Sequence, residues 1–195
     1  MLYICTIGVS FVRVITGSAR GRVLLTPEGL DTRPTADRIK HSIFNAIQFD
    51  VEGRRVLDLF AGSGQLGIEA LSRGAKNCCF VDSNKDAQSA ISQNIKNCGF
   101  TSNSKVFGTD FETFLKSIDA QFDLVFLDPP YKEGLLLKAL ELVSEKTSSF
   151  GIIICEHLKD YFPPENVGNF SVYKRYNFGR TTSVTLYRTS NEEEG

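Results

Sequence analysis

The sequence has no tryptophan, one methionine, two histidines and no apolar run approaching the ~20 residues that span a bilayer. With only His41 and His157 available, a histidine-rich metal centre is excluded, and no metal is expected. The five cysteines, Cys5, Cys78, Cys79, Cys98 and Cys155, are odd in number and show no C-x-x-C spacing. That usage argues against a zinc site or disulfide framework, and for reduced thiols in a cytoplasmic protein. An apolar opening, Met1 to Val9, lacks a positive region before it and is followed by Arg13, so it reads as an extension or first strand rather than a signal peptide. A strong excess of either charge is also missing: 22 basic against 23 acidic residues give a net charge of −1. Any nucleic-acid partner must then be held by a local patch, and no membrane partner is expected.

What is present is a rhythm. Phe11–Ile15 and Arg22–Leu25 read as two short strands joined through Gly17 and Gly21. From Thr35 a helical pattern buries Ile39, Ile43, Phe44 and Ile47, leaving Asp37, Arg38 and Lys40 to face water or a ligand. After Arg55, apolar strands Val56–Phe60, Cys78–Val81, Lys105–Phe107, Leu124–Leu127 and Ile152–Cys155 alternate with helices. Those helices fall at Leu66–Ser72, Asp86–Cys98, Glu112–Ile118 and Leu135–Glu145, the second opened by a Ser83-Asn-Lys-Asp86 capping box. Such alternation implies an α/β domain whose parallel sheet is covered on both faces. Phe170–Tyr176 and Thr182–Tyr187 around Asn177-Phe-Gly179 read as a closing antiparallel hairpin. The expected partition is an extension over 1–50 on the substrate side, a main domain over 51–190, and an acidic unordered tail over 191–195.

Chemistry concentrates at the strand ends. Asp58-Leu-Phe-Ala-Gly62-Ser-Gly64-Gln-Leu-Gly67 carries G-x-G-x-x-G between strand and helix. Those glycines allow a tight turn, close backbone approach to a ligand and close helix–strand contact. Asp82, with Ser83 beside it, ends the next strand, where a carboxylate can accept both hydroxyl hydrogens of a ribose. The pair fits either a dinucleotide or an adenosine-containing ligand such as S-adenosylmethionine. Asp58 favours the latter, because a carboxylate there repels a pyrophosphate and suits the ammonium of a methionine moiety. Asp110, just before Phe111, can accept from an adenine amine or cap the following helix.

Asp128-Pro-Pro-Tyr131 follows the strand Leu124–Leu127. An exocyclic amine on a nucleobase is a poor nucleophile because its lone pair is delocalised into the ring. Asp128 and a backbone carbonyl fixed by Pro129 and Pro130 can each accept one N–H and turn that lone pair toward an electrophile. Tyr131 offers a ring on which the base can stack, worth about 1–3 kcal/mol. Basic residues cluster twice: Arg13, Arg20, Arg22, Arg33, Arg38 and Lys40 near the N-terminus, and Lys174, Arg175, Arg180 and Arg188 among Tyr173, Tyr176, Phe178 and Tyr187. Both patches suit phosphates and bases as well as an ordinary charged face. His41 and His157 receive no role.

These motifs in this order resemble a class I S-adenosylmethionine-dependent methyltransferase acting on an exocyclic amine. More narrowly, Arg13-Val-Ile-Thr-Gly-Ser-Ala-Arg-Gly-Arg22, Thr32-Arg-Pro-Thr-Ala-Asp-Arg38, Phe44-Asn45 and Glu69-Ala-Leu-Ser-Arg-Gly74 resemble the bacterial RsmD family. That family methylates the 2-amino group of one guanine in 16S ribosomal RNA of the small (30S) subunit. The resemblance runs from about Phe11 to Arg188; residues 1–10 have no counterpart, and Gln65 stands where the family commonly has a small residue. It implies a Rossmann-like fold with a mostly parallel seven-stranded sheet, a C-terminal antiparallel hairpin, helices on both faces and a small N-terminal hairpin-and-helix extension. It also implies a cofactor site of Asp58, Phe60, Ala61, Gly62, Ser63, Gly64, Gly67, Asp82, Ser83, Asp110 and Phe111. Asp128, Pro129, Pro130 and Tyr131 would surround the target amine. Arg13, Arg20, Arg22, Arg33, Thr35 and Arg38 would lie toward the RNA, and a monomer suffices. Three other readings stay open: a DNA or RNA amino-methyltransferase with another target base, an NAD(P)-dependent enzyme, and a non-catalytic RNA-binding assembly factor.

Overall fold

A computed structural model describes residues 12–27, 34–132 and 134–189. Two two-residue strands, β1 (Val12–Arg13) and β2 (Val23–Leu24), pair antiparallel and lead to helix α1 (Pro34–Ala46). Then β3 (Arg55–Leu59), α2 (Gln65–Ser72), β4 (Asn77–Val81), α3 (Lys85–Cys98), β5 (Ser104–Phe107), α4 (Phe111–Ser117), β6 (Phe122–Leu127) and α5 (Leu135–Ser144) alternate. The chain closes with β7 (Thr147–Leu158), β8 (Asn166–Val167), β9 (Phe170–Phe178) and β10 (Thr182–Thr189). The sheet order is β5-β4-β3-β6-β7-β10-β9-β8, parallel from β5 to β7 and antiparallel beyond. It has eight strands, one more than the expected seven, because Asn166 and Val167 pair with Ser171 and Phe170 as a two-residue edge.

The central strands carry apolar residues on both faces because both faces are covered. Val56, Phe80, Leu124, Phe126, Ile152 and Ile154 point to one face, where they meet Ile43 and Phe44 of α1, Ile68 of α2 and Ile91 of α3. Leu57, Leu59, Val125, Leu127 and Ile153, offset by one residue, point to the other and meet Phe114 of α4 and Leu140 of α5. At the sheet's N-terminal edge Arg55 and Asp123 form a two-pronged ion pair, at 2.9 and 2.7 Å, that fixes the start of β3 against β6. The order reverses between β3 and β6, so the crevice that open α/β sheets use for ligands opens there.

The first hairpin is shorter than its sequence pattern predicts. The N–H groups of Ile15 and Thr16 leave the ladder and donate to the buried Glu69 carboxylate on α2, at 2.7 and 3.0 Å. At Gly17 the chain passes so close to α2 that a Cβ would lie 1.7 Å from the Ser72 carbonyl oxygen. Lys40 does not face water: it is buried, its Nζ donating to the Arg13 carbonyl at 2.7 Å and lying 3.8 Å from Asp37. The capping box also resolves differently. Asn84, not Ser83, caps α3, accepting from the N–H of Asp86 at 2.7 Å, because an Asn oxygen one residue later reaches the same donors. In the closing hairpin Asn177 and Phe178 stay in β9, since Asn177 pairs with Ser183 and accepts its hydroxyl at 2.7 Å; the turn falls on 179–181. His157 lies within β7, buried, with Nδ1 donating to the Leu158 carbonyl and Nε2 accepting from Thr185 Oγ1, both at 2.8 Å. This neutral tautomer is structural, and burial holds its pKa down.

Candidate active site

A cleft of about 950 Å³ lies along the C-terminal tips of β3 to β7, roofed by Val12, Thr26, Pro27, Ile39 and Lys40. Its volume sits at the upper end of the range that small-molecule ligands occupy. One half is built by β3, β4 and β5. After β3 the chain turns at Phe60, whose φ of 66° is uncommon for a residue with a side chain. The N–H groups of Phe60 and Ala61 both donate to the Val81 carbonyl at 3.0 Å, which holds that turn. Asp82, at the end of β4, accepts from Gly62 N–H at 2.8 Å and from Asn84 N–H at 2.9 Å, so one carboxylate pins the glycine loop and the start of α3. Buried Asn94 donates to the carbonyls of Ser63 and Leu25, at 2.9 and 2.8 Å, tying that loop to the N-terminal arm.

Asp58 is buried at the tip of β3 and accepts from Gly67 N–H at 2.8 Å. Burial pushes its carboxyl up to about 8, the Gly67 hydrogen bond opposes this, and the charges of Asp128 and Asp82 add to it. A cation arriving beside Asp58 would therefore meet a group that gains from becoming ionised. Asp110 takes its capping role: it accepts from Thr113 N–H at 2.9 Å as N-cap of α4, which holds its pKa below the usual range, while still lining the cleft. Phe60 and Phe111 face each other at 5.2 Å between ring centroids.

The other half is built by β6, β7 and β10. Asp128 is ringed by protein yet opens onto the cleft, and desolvation raises its carboxyl above the usual range. The register Leu127↔Cys155 sets Asp128 beside Glu156. Glu156 is also raised, first by desolvation and then by the Asp128 charge. Burial and the charges of Glu156 and Asp128 push the Tyr131 hydroxyl's pKa up to about 12. The Pro130 carbonyl is committed to Lys132 N–H at 2.6 Å, which leaves the Pro129 carbonyl for a ligand among the described residues.

Asp58, Phe60, Ala61, Gly62, Ser63, Asp82, Ser83, Asp110, Phe111, Asp128, Pro129, Pro130 and Tyr131 all line this cleft. Gly64 and Gly67 do not; they shape it from behind. A Cβ on Gly67 would lie 2.4 Å from the Phe80 ring and 2.6 Å from Cys78 Sγ, so this glycine lets α2 close on β4. Arg13, Arg20, Arg22 and Arg38 are exposed outside the cleft. Arg33 and the Thr35 side chain lie outside the described residues. In the C-terminal patch, Arg175 pairs with Glu165 and Arg188 with Asp50, at 2.9 and 2.7 Å, so two of its cations are committed to acids elsewhere in the sequence. Glu156 and Thr182 also line the cleft and escaped the sequence analysis, and so does Gln65, which the sequence marked only as a departure from the family. Glu156 follows the apolar run Ile152–Cys155 just as Asp128 follows Leu124–Leu127, so the strand-end rule applied to every strand would have found it. Gln65 Oε1 is buried with no hydrogen-bond donor among the described residues. No cluster of His, Cys, Asp and Glu among the described residues is arranged to hold a metal ion.

The profile of the family described as "Conserved hypothetical protein 95" matches residues 12–188, nearly the whole described chain. The Haemophilus influenzae "Ribosomal RNA small subunit methyltransferase D" is 37% identical over 186 residues, covering 91% of this chain and 92% of the relative. The chain belongs to this RsmD-type methyltransferase family. A Bacillus subtilis relative named "Putative rRNA methyltransferase YlbH" is 42% identical over 182 residues, covering 91% of this chain and 98% of its own. Among solved structures, "Putative methyltransferase yhhF from Escherichia coli" superposes with a TM-score of 0.81 at 29% identity, covering 92% of this chain and 98% of that one. The fold and the family thus agree that the protein is a methyltransferase. No helix among the described residues is long and apolar enough to cross a membrane.

Proposed function

We propose that this chain transfers a methyl group from S-adenosylmethionine to the exocyclic 2-amino group of a guanine in small-subunit (16S) ribosomal RNA, within assembled or assembling 30S subunits. One observation carries this reading: Asp128-Pro-Pro-Tyr131 stands at the tip of β6, directly across the switch point from the carboxylate-pinned glycine loop after β3. The names of the relatives supply the RNA class.

The donors and acceptors of the β3–β5 half fit the cofactor. Asp58 suits its ammonium, Asp82 its ribose hydroxyls, and the backbone and side chain of Asp110 its adenine, with Phe60, Ala61, Gly62, Ser63, Ser83 and Phe111 as walls. The orphaned Gln65 Oε1 supplies one further acceptor for a hydroxyl or ammonium. When bound, S-adenosylmethionine supplies a methyl group activated by a sulfonium, which leaves with the bonding electron pair. Asp128 and the Pro129 carbonyl each accept one N–H of the guanine amine and turn its lone pair toward that methyl carbon. As the N–C bond forms, the nitrogen loses a proton, which Asp128 is placed to accept. Tyr131 stacks on the base, which leaves its helix at a cost of a few kcal/mol. Exposed Arg13, Arg20, Arg22 and Arg38 hold RNA phosphates. One copy of the chain carries every residue invoked.

Tritiated-methyl transfer onto naked small-subunit RNA, assembled small subunits and DNA, run side by side, tests the proposal. Label on a guanine 2-amine in RNA is expected. Label on DNA, or on another base, would replace it with a different amino-methyltransferase, and no label with intact RNA binding would favour an assembly factor.

A further inference from the structure

Glu156 is left over once the methyl-transfer geometry has been assigned. The β6–β7 register puts it beside Asp128, and the β10 register puts it opposite Val184. It lines the main cleft, and it also lines a second cavity of about 160 Å³ walled by Pro130, Tyr131, Leu136 and Tyr161. Two neighbouring carboxylates that lack a cationic partner among the described residues repel each other in a partly desolvated wall. Hydrogen-bond donors brought by a ligand relieve that repulsion.

Guanine offers such donors in pairs. Its N1–H and one 2-amino N–H point the same way along one edge, and a carboxylate accepts both at once. Adenine and cytosine instead place a ring acceptor beside their amine, which a carboxylate repels. Tyr131 and Glu156 line both cavities, so the ring on which the base stacks and the group that faces its edge belong to one site.

We propose that Glu156 is the specificity-determining residue of this site, its carboxylate accepting N1–H of the target guanine and sharing with the Pro129 carbonyl the amine hydrogen that Asp128 does not take. The inference rests on the guanine reading above and deepens it.

The test compares two RNAs that differ only at the guanine the wild-type protein labels. One keeps guanine; the other carries 2,6-diaminopurine, which retains the 2-amine but has a ring acceptor in place of N1–H. The wild-type protein should prefer guanine by about 10²-fold or more in kcat/KM, as sites built around a buried polar group reject an analogue that leaves it unpaired. Glu156→Gln, with nearly the same shape and an amide donor in place of one oxygen, should compress that preference by about tenfold or more. Its affinity for S-adenosylmethionine, measured by calorimetric titration, should match wild type. Glu156→Asp keeps the carboxylate and should keep the preference at a raised KM. An unchanged preference in Glu156→Gln, or its loss in both variants, overturns the role of Glu156 while leaving guanine methylation standing. A wild-type protein that labels no guanine 2-amine overturns both.

Discussion

The two halves of the cleft treat their carboxylates in opposite ways. In the β3–β5 half every acid is committed to backbone: Asp58 to Gly67 N–H, Asp82 to Gly62 and Asn84 N–H, Asp110 to Thr113 N–H. In the β6–β10 half neither Asp128 nor Glu156 accepts a side-chain hydrogen bond from the described residues. The first half is a preformed mould whose acids hold the loop in shape as well as facing the cleft. The second is an unsatisfied wall whose acids await donors. On the proposed function the first half binds an invariant cofactor, which favours rigidity, and the second orients a reacting amine, which requires acceptors that nothing else has taken.

That contrast is sharpest at Asp128. Replacing it with Asn should lower kcat by about 10²–10⁴-fold, the range removed with a proton-accepting side chain, and leave cofactor affinity unchanged. Single-turnover transfer and calorimetry measure the two; near-normal transfer would take Asp128 out of the mechanism.

The mould should instead fail through stability. Glu69 is fully buried, accepts from Ile15 and Thr16 and pairs with Arg73 at 2.8 Å. Removing one partner of such a buried pair costs about 3–5 kcal/mol, so Glu69→Ala should loosen the arm from α2 and weaken cofactor binding along with it. Denaturant unfolding with and without cofactor reports both; an unchanged midpoint would break the proposed link.

Asp58→Asn keeps the acceptor for Gly67 N–H but loses the charge. Cofactor affinity should fall by about 10–100-fold, the equivalent of a charge-assisted hydrogen bond. The ligand-free variant should nonetheless be the more stable protein in mild alkali. Between the ordinary carboxyl pKa of 3.8 and about 8, native Asp58 holds a proton that the unfolded chain has released, so wild-type stability declines as pH rises through that window. The Asn variant lacks this loss. Thermal midpoints from pH 5 to pH 8 that fall equally in both proteins would contradict the assignment.

The smallest effects concern the two basic patches. Arg20→Ala with Arg22→Ala should reduce the salt slope of RNA binding by about one unit per arginine. Arg175→Ala should leave the slope unchanged, because its guanidinium already pairs with Glu165. Equal slopes for both variants would erase the distinction between the patches.

The mould was legible in the sequence because its signals are local. An apolar strand, an acid, and glycines at fixed offsets lie within ten residues of one another, and each carries its own conformational demand. Lys40 shows the limit: helical periodicity placed it toward water or a ligand, and it does line the cleft, but its burial against the Arg13 carbonyl, which draws the amine inward, was not legible. The C-terminal patch shows the same limit, since Arg188 meets Asp50 across 138 residues. Glu156 was hidden for a related reason, its meaning coming from the strand beside it in space.

The sequence by itself determined the βα alternation, the strand tips that carry acids and the Asp128-Pro-Pro-Tyr131 motif after β6, because each follows from periodicity and backbone restriction over a few residues. Tertiary structure alone decided which charges stay free, which are buried in pairs, and that Glu156 stands next to Asp128. Those outcomes depend on register between distant strands, and desolvation acts on whatever that register brings together.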